Sequence, residues 1–163
     1  MNKIFSLAIM LCTSFTIFSQ TGDVTTYYLI RHAEKITSNP ADVDPDLTLE
    51  GINRAKKWVS VFAPTKIDAV YSSEFRRTKQ TAKPIADSKK LPVYSFDLKT
   101  MYDPAFKYNT KGLSVIVVGH SNSTPQLANM MIGEEKYPNI NDSEHGYLYI
   151  ITITKDKTTS TLV

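Results

Sequence analysis

The sequence of 163 residues contains one cysteine, few glycines and no long run of basic residues. A single cysteine excludes a disulfide framework, because a disulfide needs two. Only 6 glycines and 8 prolines accompany 42% apolar residues, which excludes a fibrous or disordered chain. The net charge of +3 is small and forms no basic stripe, so the composition predicts no nucleic-acid partner. A chain of this length is typical of one domain and can bury a core of its own.

The first twenty residues differ in composition from the rest of the chain. Lys3 is their one charged residue, and a largely apolar stretch over 4–18 follows it. A short basic start, an apolar centre and a small residue such as Ser19 are typical of a secretory signal peptide. We predict a signal peptide over 1–20 and export of one domain, 21–163, to the periplasm or out of the cell. An uncleaved membrane anchor is the alternative, but a span needs roughly 20 apolar residues.

Strand-like and helical patterns alternate through the rest of the chain. Helical patterns begin after Thr48 and cover 74–88 and 123–132, with Pro84 predicted to kink or break the second helix. This alternation predicts an α/β fold, a three-layer α/β/α sandwich with a mostly parallel central sheet. The predicted strands are 25–30, 68–72, 92–96, 114–119, 146–154 and 158–163.

Two glycines and one threonine refine the helix boundaries. Thr48 is the predicted N-cap of the first helix, and Gly51 at its N3 position predicts a close approach of another segment. Gly133 is the predicted residue that ends the third helix.

Polar side chains follow three of the predicted strands. The first strand runs into Arg31 and His32, the apolar strand 114–119 runs into His120, and Arg77 lies shortly after the second strand. Ligands of parallel α/β sheets bind at the carboxyl ends of the strands, so we expect these side chains in one pocket. Guanidinium groups match phosphate oxygens, and a neutral imidazole can act as a nucleophile. The pattern therefore predicts a phosphate pocket.

Four segments carry a resemblance to a known family. They resemble, in the same order, the motifs of the histidine phosphatase (phosphoglycerate mutase-like) superfamily, and the resemblance extends over about 26–154. It implies a phosphoglycerate mutase-like fold and a phosphoric monoester hydrolase that uses no metal ion and no other cofactor. The segments are Leu-Ile-Arg-His-Ala-Glu-Lys at 29–35, Leu-Thr-Leu-Glu-Gly at 47–51, Ser-Ser-Glu-Phe-Arg-Arg-Thr-Lys-Gln-Thr-Ala at 72–82 and Val-Gly-His-Ser-Asn at 118–122.

The resemblance also implies the roles of individual residues. His32 is the expected nucleophile, which takes the phosphoryl group as phosphohistidine. Arg31 and Arg77 are expected to hold the phosphate oxygens. His120 is expected to complete the pocket and to stabilise charge on the transferring group.

Two further assignments concern the neighbours of these residues. Arg77 is preferred to Arg76 because it lies three residues before Gln80, where the family's arginine lies. Ser121 and Asn122 belong to a turn that opens a helix, and its backbone N–H groups would bind an anion.

The general acid is where the sequence departs from the family pattern. Many members carry a glutamate at a position that aligns with Thr100, which cannot donate a proton as an acid does. Glu34, two residues after His32, is our preferred substitute, with Asp97 and Asp103 as the other candidates. The protein could instead lack an acid and act on phosphoramidates, whose leaving group needs no added proton.

The short connection between 96 and 114 leaves no room for a cap domain, so we expect an open pocket. An open pocket suits a phosphorylated small molecule, glycan, lipid or protein side chain.

The alternative function is a non-catalytic phosphate-binding or scaffold protein that retains the pocket. A weaker alternative is a metal hydrolase that uses His32, Glu34 and His120. His145 is interpreted as a loop residue, and no oligomeric state is predicted.

Overall fold

The computed structural model describes residues 24–163, so the predicted signal peptide lies outside the described residues. None of the helices in this part of the chain combines the length and hydropathy needed to cross a membrane. The elements, in chain order, are β1 (Thr25–Arg31), α1 (Leu49–Phe62), β2 (Ala69–Ser72), α2 (Arg76–Lys89), β3 (Val93–Ser95), α3 (Pro104–Thr110), β4 (Ser114–Gly119), α4 (Ser123–Ile132), β5 (Leu148–Ile153) and β6 (Thr158–Leu162).

The strands form one six-stranded sheet in the order β3-β2-β4-β1-β5-β6. Strands β3, β2, β4 and β1 run parallel, whereas β5 is antiparallel to β1 and β6 is antiparallel to β5. The predicted mostly parallel sheet is therefore confirmed, and the predicted edge strand near the end of the chain is β6.

Helices cover both faces of the sheet, because the central strands are apolar on both sides. In β4, Ile116 and Val118 face the helices α1 and α2, while Val115 and Val117 face α4. The first helical layer buries Trp58, Phe62, Ala82, Ile85 and Ala86, and the second buries Leu127, Ala128 and Met131. The three-layer α/β/α sandwich is confirmed.

The start of α1 is held against the chain segment that follows β1. Thr48 caps the helix, since its Oγ1 accepts a hydrogen bond from the Gly51 amide at 3.0 Å. A Cβ atom on Gly51 would overlap the carbonyl oxygen of Glu34. The close approach predicted at Gly51 is therefore real, and it packs α1 onto the turn that carries His32.

The second helix is not broken at Pro84, which was one of the two outcomes predicted there. It continues to Lys89 with Pro84 inside it, so the proline does not end the helix. Proline removes one backbone hydrogen bond there. Burial of Ile85 and Ala86 against the sheet outweighs that loss and holds the helix together.

The sequence pattern does not predict α3, since seven residues are too few to show a helical period. Its only local signal is the Asp103-Pro104 pair. Asp103 caps the helix, with Oδ1 accepting from the Phe106 amide at 2.7 Å, and Pro104 occupies the first turn.

Candidate active site

The carboxyl ends of β2, β4 and β1 meet at one edge of the sheet, because these strands are neighbours and parallel. Arg31 pairs with Gly119 in the β1–β4 ladder, and the His32 amide donates to the Gly119 carbonyl at 2.9 Å. His32 and His120 therefore leave adjacent strands side by side, with ring centroids 5.4 Å apart. The strand order brings together the residues that the sequence analysis placed in one pocket.

A cavity of about 420 Å³ opens at this edge. Six of its lining residues are predicted site residues, and four are not. Glu34 is absent from the described residues that line it. The lining consists of Arg31, His32, Arg77, His120, Ser121 and Asn122, together with Lys35, Phe75, Leu98 and Asp142.

His32 is buried, with 4% of its surface exposed. Its Nδ1 lies 2.7 Å from the Ala33 carbonyl oxygen, so Nδ1 carries the proton and Nε2 keeps its lone pair. Burial lowers the pKa of His32 to about 3, and the nearby charges of Arg31 and Arg77 act in the same direction. The ring is therefore a neutral nucleophile at neutral pH.

His120 is held in the other tautomer. Its Nδ1 lies 3.5 Å from Arg77 Nη2, which can only donate, so Nε2 carries the proton and donates to Ser73 Oγ at 2.9 Å. Burial lowers the pKa of His120 to about 4, and the positive charges of Arg77 and Arg31 lower it in the same direction. Ser73, a residue that the sequence analysis did not single out, thus orients His120. Its signal is its position directly after β2.

The lowered pKa values of His32 and His120 predict a fold that weakens in mild acid. Unfolded histidines titrate near pH 6.5, so below that pH the unfolded chain binds protons that the native chain does not. The contribution of the two neutral histidines to the free energy of unfolding is fully present above about pH 6.5. It is lost as the pH falls towards the pKa values of the folded state. Urea titrations should show the free energy of unfolding fall by about 2–4 kcal/mol between pH 7 and pH 5.

A variant separates this effect from other titrating groups. Replacing His120 by asparagine should reduce the pH-dependent loss by about half, because one of the two buried histidines is gone. An identical loss in the variant and the parent would contradict the assignment.

Arg31 is anchored by the loop between α4 and β5. Its side chain is 4% exposed. Nη1 donates to the carbonyl oxygens of Asn141 at 2.8 Å, Asp142 at 3.1 Å and Glu144 at 2.9 Å, and Nη2 donates to Asp142 Oδ1 at 3.0 Å. Its buried Nε has no hydrogen-bond acceptor among the described residues. These contacts fix the guanidinium and leave its Nε–H group without an acceptor in the described residues.

Arg77 lies on the opposite wall, with 11% of its side chain exposed. Its guanidinium carbon lies 4.3 Å from the centre of the Phe75 ring, and Nη1 lies 3.3 Å from Asp44 Oδ1. Its Nε also lacks an acceptor in the described part of the chain. Arg76, by contrast, is 50% exposed and outside the cavity lining; its ion-pair partners are Asp42, Asp44 and Asp46.

The cavity favours an anion. Three cationic side chains and one carboxylate line it, while both histidines are neutral. Each buried N–H group without an acceptor costs roughly 1–3 kcal/mol. A phosphate group would supply oxygens to the unused donors of Arg31 and Arg77.

Glu34 lies outside this cavity. Its carboxylate accepts a hydrogen bond from Arg54 Nε at 2.6 Å and forms an ion pair with the same guanidinium. Burial raises the pKa of Glu34, but the hydrogen bond and charge of Arg54 outweigh it and hold the pKa below its ordinary value. Glu34 as the acid stays a prediction, and its place outside the cavity of His32 argues against it.

The other candidates for the general acid also lie outside the cavity of His32. Asp103 is engaged as the N-cap of α3. Asp97 is exposed and accepts from the Lys99 amide at 2.8 Å, and Thr100 is exposed in the same turn. None of these three lines the cavity of His32.

A metal site from His32, Glu34 and His120 is not assembled, since the Glu34 carboxylate pairs with Arg54. Within residues 24–163, no group of three or more His, Cys, Asp or Glu side chains could hold a metal ion.

His145 lies closer to the site than its loop position suggests. Its ring centroid is 6.0 Å from that of His32, and Nδ1 lies 3.0 Å from the His32 carbonyl oxygen.

Two relatives with known names match parts of this chain. A Schizosaccharomyces pombe protein named "probable phosphatase" is 33% identical over 101 residues, which cover 55% of this chain and 36% of that protein. Phosphoserine phosphatase 1 of Hydrogenobacter thermophilus is 38% identical over 74 residues, covering 42% of this chain and 35% of that protein. The matches thus span about a third of the length of each relative.

The fold is shared with solved structures. The structure of the protein histidine phosphatase SixA complexed with tungstate superposes on this chain with a TM-score of 0.67 and 19% sequence identity. The match covers 83% of this chain and 94% of the SixA chain. The sequence model of the histidine phosphatase superfamily, branch 1, matches residues 27–97. This segment holds Arg31, His32 and Arg77. Over residues 27–97, the chain is therefore similar to the histidine phosphatase superfamily.

Proposed function

We propose that this chain is a phosphatase that hydrolyses a phosphomonoester or phosphoramidate through a phosphohistidine on His32, without a metal ion. One observation carries the proposal. The Nδ1–H group of His32 donates to the Ala33 carbonyl, which leaves the lone pair on Nε2 in a cavity walled by Arg31 and Arg77. The names of the relatives, which are phosphatases, support the same class of reaction.

The geometry suits a two-step displacement. His32 Nε2 attacks phosphorus while Arg31 and Arg77 bind the non-bridging oxygens, where negative charge is concentrated. These guanidinium groups are already oriented by the 141–144 carbonyls and by Phe75, so little reorganisation accompanies the reaction. Water then displaces His32 from the phosphoryl group.

The openness of the site bears on the substrate. The described chain has no cap domain over the cavity, since the connection between β3 and β4 holds only the short helix α3. We propose a phosphorylated small molecule, glycan or protein side chain as the substrate. We also propose that residues 1–20 direct export to the periplasm or out of the cell, on the basis of their composition.

The test is hydrolysis of 4-nitrophenyl phosphate by the EDTA-treated chain. We expect nitrophenolate release over many turnovers, and a rapidly quenched enzyme that carries an acid-labile phosphoryl group on His32. Activity lost in EDTA and restored by a metal ion would indicate a metal site instead. A folded chain that binds phosphate but releases no nitrophenolate would favour the phosphate-binding or scaffold alternative.

A further inference from the structure

The proposed reaction needs a proton for the departing oxygen of a phosphomonoester, and the sequence-based candidates for the donor lie outside the cavity. We propose that Asp142 is the acid–base residue of this site, donating a proton to the leaving group and then accepting one from the attacking water. This inference rests on the proposed phosphatase function.

Asp142 is the one carboxylate among the described residues that line the cavity of His32. Its Oδ1 lies 3.0 Å from Arg31 Nη2, so it is adjacent to the site where a phosphate oxygen would bind. Its side chain is 92% exposed, which places it at the mouth, on the side where a leaving group meets solvent.

The backbone that carries Asp142 is fixed, and its side chain is exposed. Arg31 Nη1 donates to the carbonyl oxygens of Asn141, Asp142 and Glu144. The Ile140 amide donates to the Ser121 carbonyl at 2.8 Å. The carboxylate can therefore swing between Arg31 and a bound substrate without a change in the loop.

Substrate binding supplies the proton. The groups that share the cavity with Asp142 are the cations Arg31, Lys35 and Arg77 and the neutral rings of His32 and His120. A phosphomonoester enters partly as the monoanion, because its second ionisation lies near pH 6. When its oxygens take over the Arg31 contact, two anionic groups share one site and compete for that proton. The Asp142 carboxylate then relays that proton from the phosphoryl group to the leaving oxygen as the bond to phosphorus breaks.

The proton and electron balance then closes over two steps. His32 Nε2 forms the bond to phosphorus, the bond to the leaving oxygen breaks, and the Asp142 proton converts that oxygen to an alcohol. Water next attacks phosphorus and passes a proton to the Asp142 carboxylate. The phosphorus–nitrogen bond breaks, its electron pair returns to Nε2, and inorganic phosphate leaves. Asp142 passes the proton from water to the departing phosphate, so the enzyme is restored with Asp142 as a carboxylate.

The test compares Asp142→Asn on 4-nitrophenyl phosphate and on an alkyl phosphate. Nitrophenolate departs without a proton, so the variant should release one equivalent in a burst, and phosphorylated His32 should accumulate. Later turnover should fall by about 10²–10⁴-fold, because the base for water is missing. The alkyl phosphate should show no burst and a loss of similar size.

Asp97→Asn is the matched control, since Asp97 is exposed outside the cavity. It should show no burst and rates within a few-fold of the parent. Equal slowing of Asp142→Asn on both substrates without a burst, or tighter phosphate binding with unchanged turnover, would overturn the proposal. A thermal unfolding curve shows whether the variant is folded. A parent enzyme that never forms phosphohistidine would instead overturn the proposed function itself.

Discussion

Replacing His32 by alanine should lower kcat/KM for 4-nitrophenyl phosphate by about 10⁴-fold or more, the size of loss seen when a covalent nucleophile is removed. The reason is that Nε2 of His32 is the neutral lone pair held inside the cavity, fixed by the 2.7 Å hydrogen bond of Nδ1 to Ala33. Alanine leaves the arginines in place, so phosphate should still bind. Steady-state kinetics and a phosphate-binding titration on the same variant measure both quantities.

His145→Ala is the matched control for this experiment. His145 is a second histidine whose ring centroid lies 6.0 Å from that of His32, and its Nδ1 contacts the His32 backbone rather than its ring. We expect it to lose no more than about 10–100-fold in kcat/KM, the effect of a positioning contact. A loss at His145 as large as that at His32, or a His32→Ala variant with near-parental activity, would show that the nucleophile is assigned to the wrong residue.

Replacing Arg77 by alanine should lower kcat/KM by about 10²–10³-fold, equivalent to about 2.7–4 kcal/mol of transition-state stabilisation. Its guanidinium is buried against Phe75 and carries an Nε with no acceptor among the described residues. The same substitution also removes the donor to His120 Nδ1. Arg77→Lys should recover only part of the loss, because an ammonium group lacks the planar fork that fits two phosphate oxygens.

The neighbouring arginine provides the control for Arg77. Arg76 carries the same charge one residue earlier but is 50% exposed, against 11% for Arg77, and it pairs with the 42–46 loop. Arg76→Ala should change kcat/KM by no more than a few-fold, since exposed ion pairs contribute about 0–1 kcal/mol. Equal losses in the two variants would mean that bulk charge, and not the geometry of Arg77, binds the phosphate.

Most of the fold was accessible from local pattern. The alternation of strands and helices, the Thr48 cap and the Gly133 end of α4 all appear where the sequence predicts them. Helix α3 was missed because seven residues carry too little periodicity. The helix does not break at Pro84, because burial of Ile85 outweighs the hydrogen bond that proline removes.

Some residues of the candidate site could likewise be predicted from local sequence, and others could not. Arg31, His32 and His120 could be predicted because each lies at or directly after the end of a strand, and parallel strand ends meet at one edge. The role of Glu34 could not be judged in this way. Its partner Arg54 lies 20 residues away, and the carboxylate paired with it is not among the described residues that line the cavity.

The sequence by itself determined the resemblance to the histidine phosphatases, the α/β layering and the segments that end at the site, because these depend on residue type and on neighbours along the chain. Tertiary structure alone decided which tautomer each histidine ring adopts. It also decided that Asp142 reaches Arg31 across 111 residues of sequence. Such assignments depend on hydrogen bonds and burial between distant segments, and no local pattern encodes a contact whose partners meet only after the strands have paired.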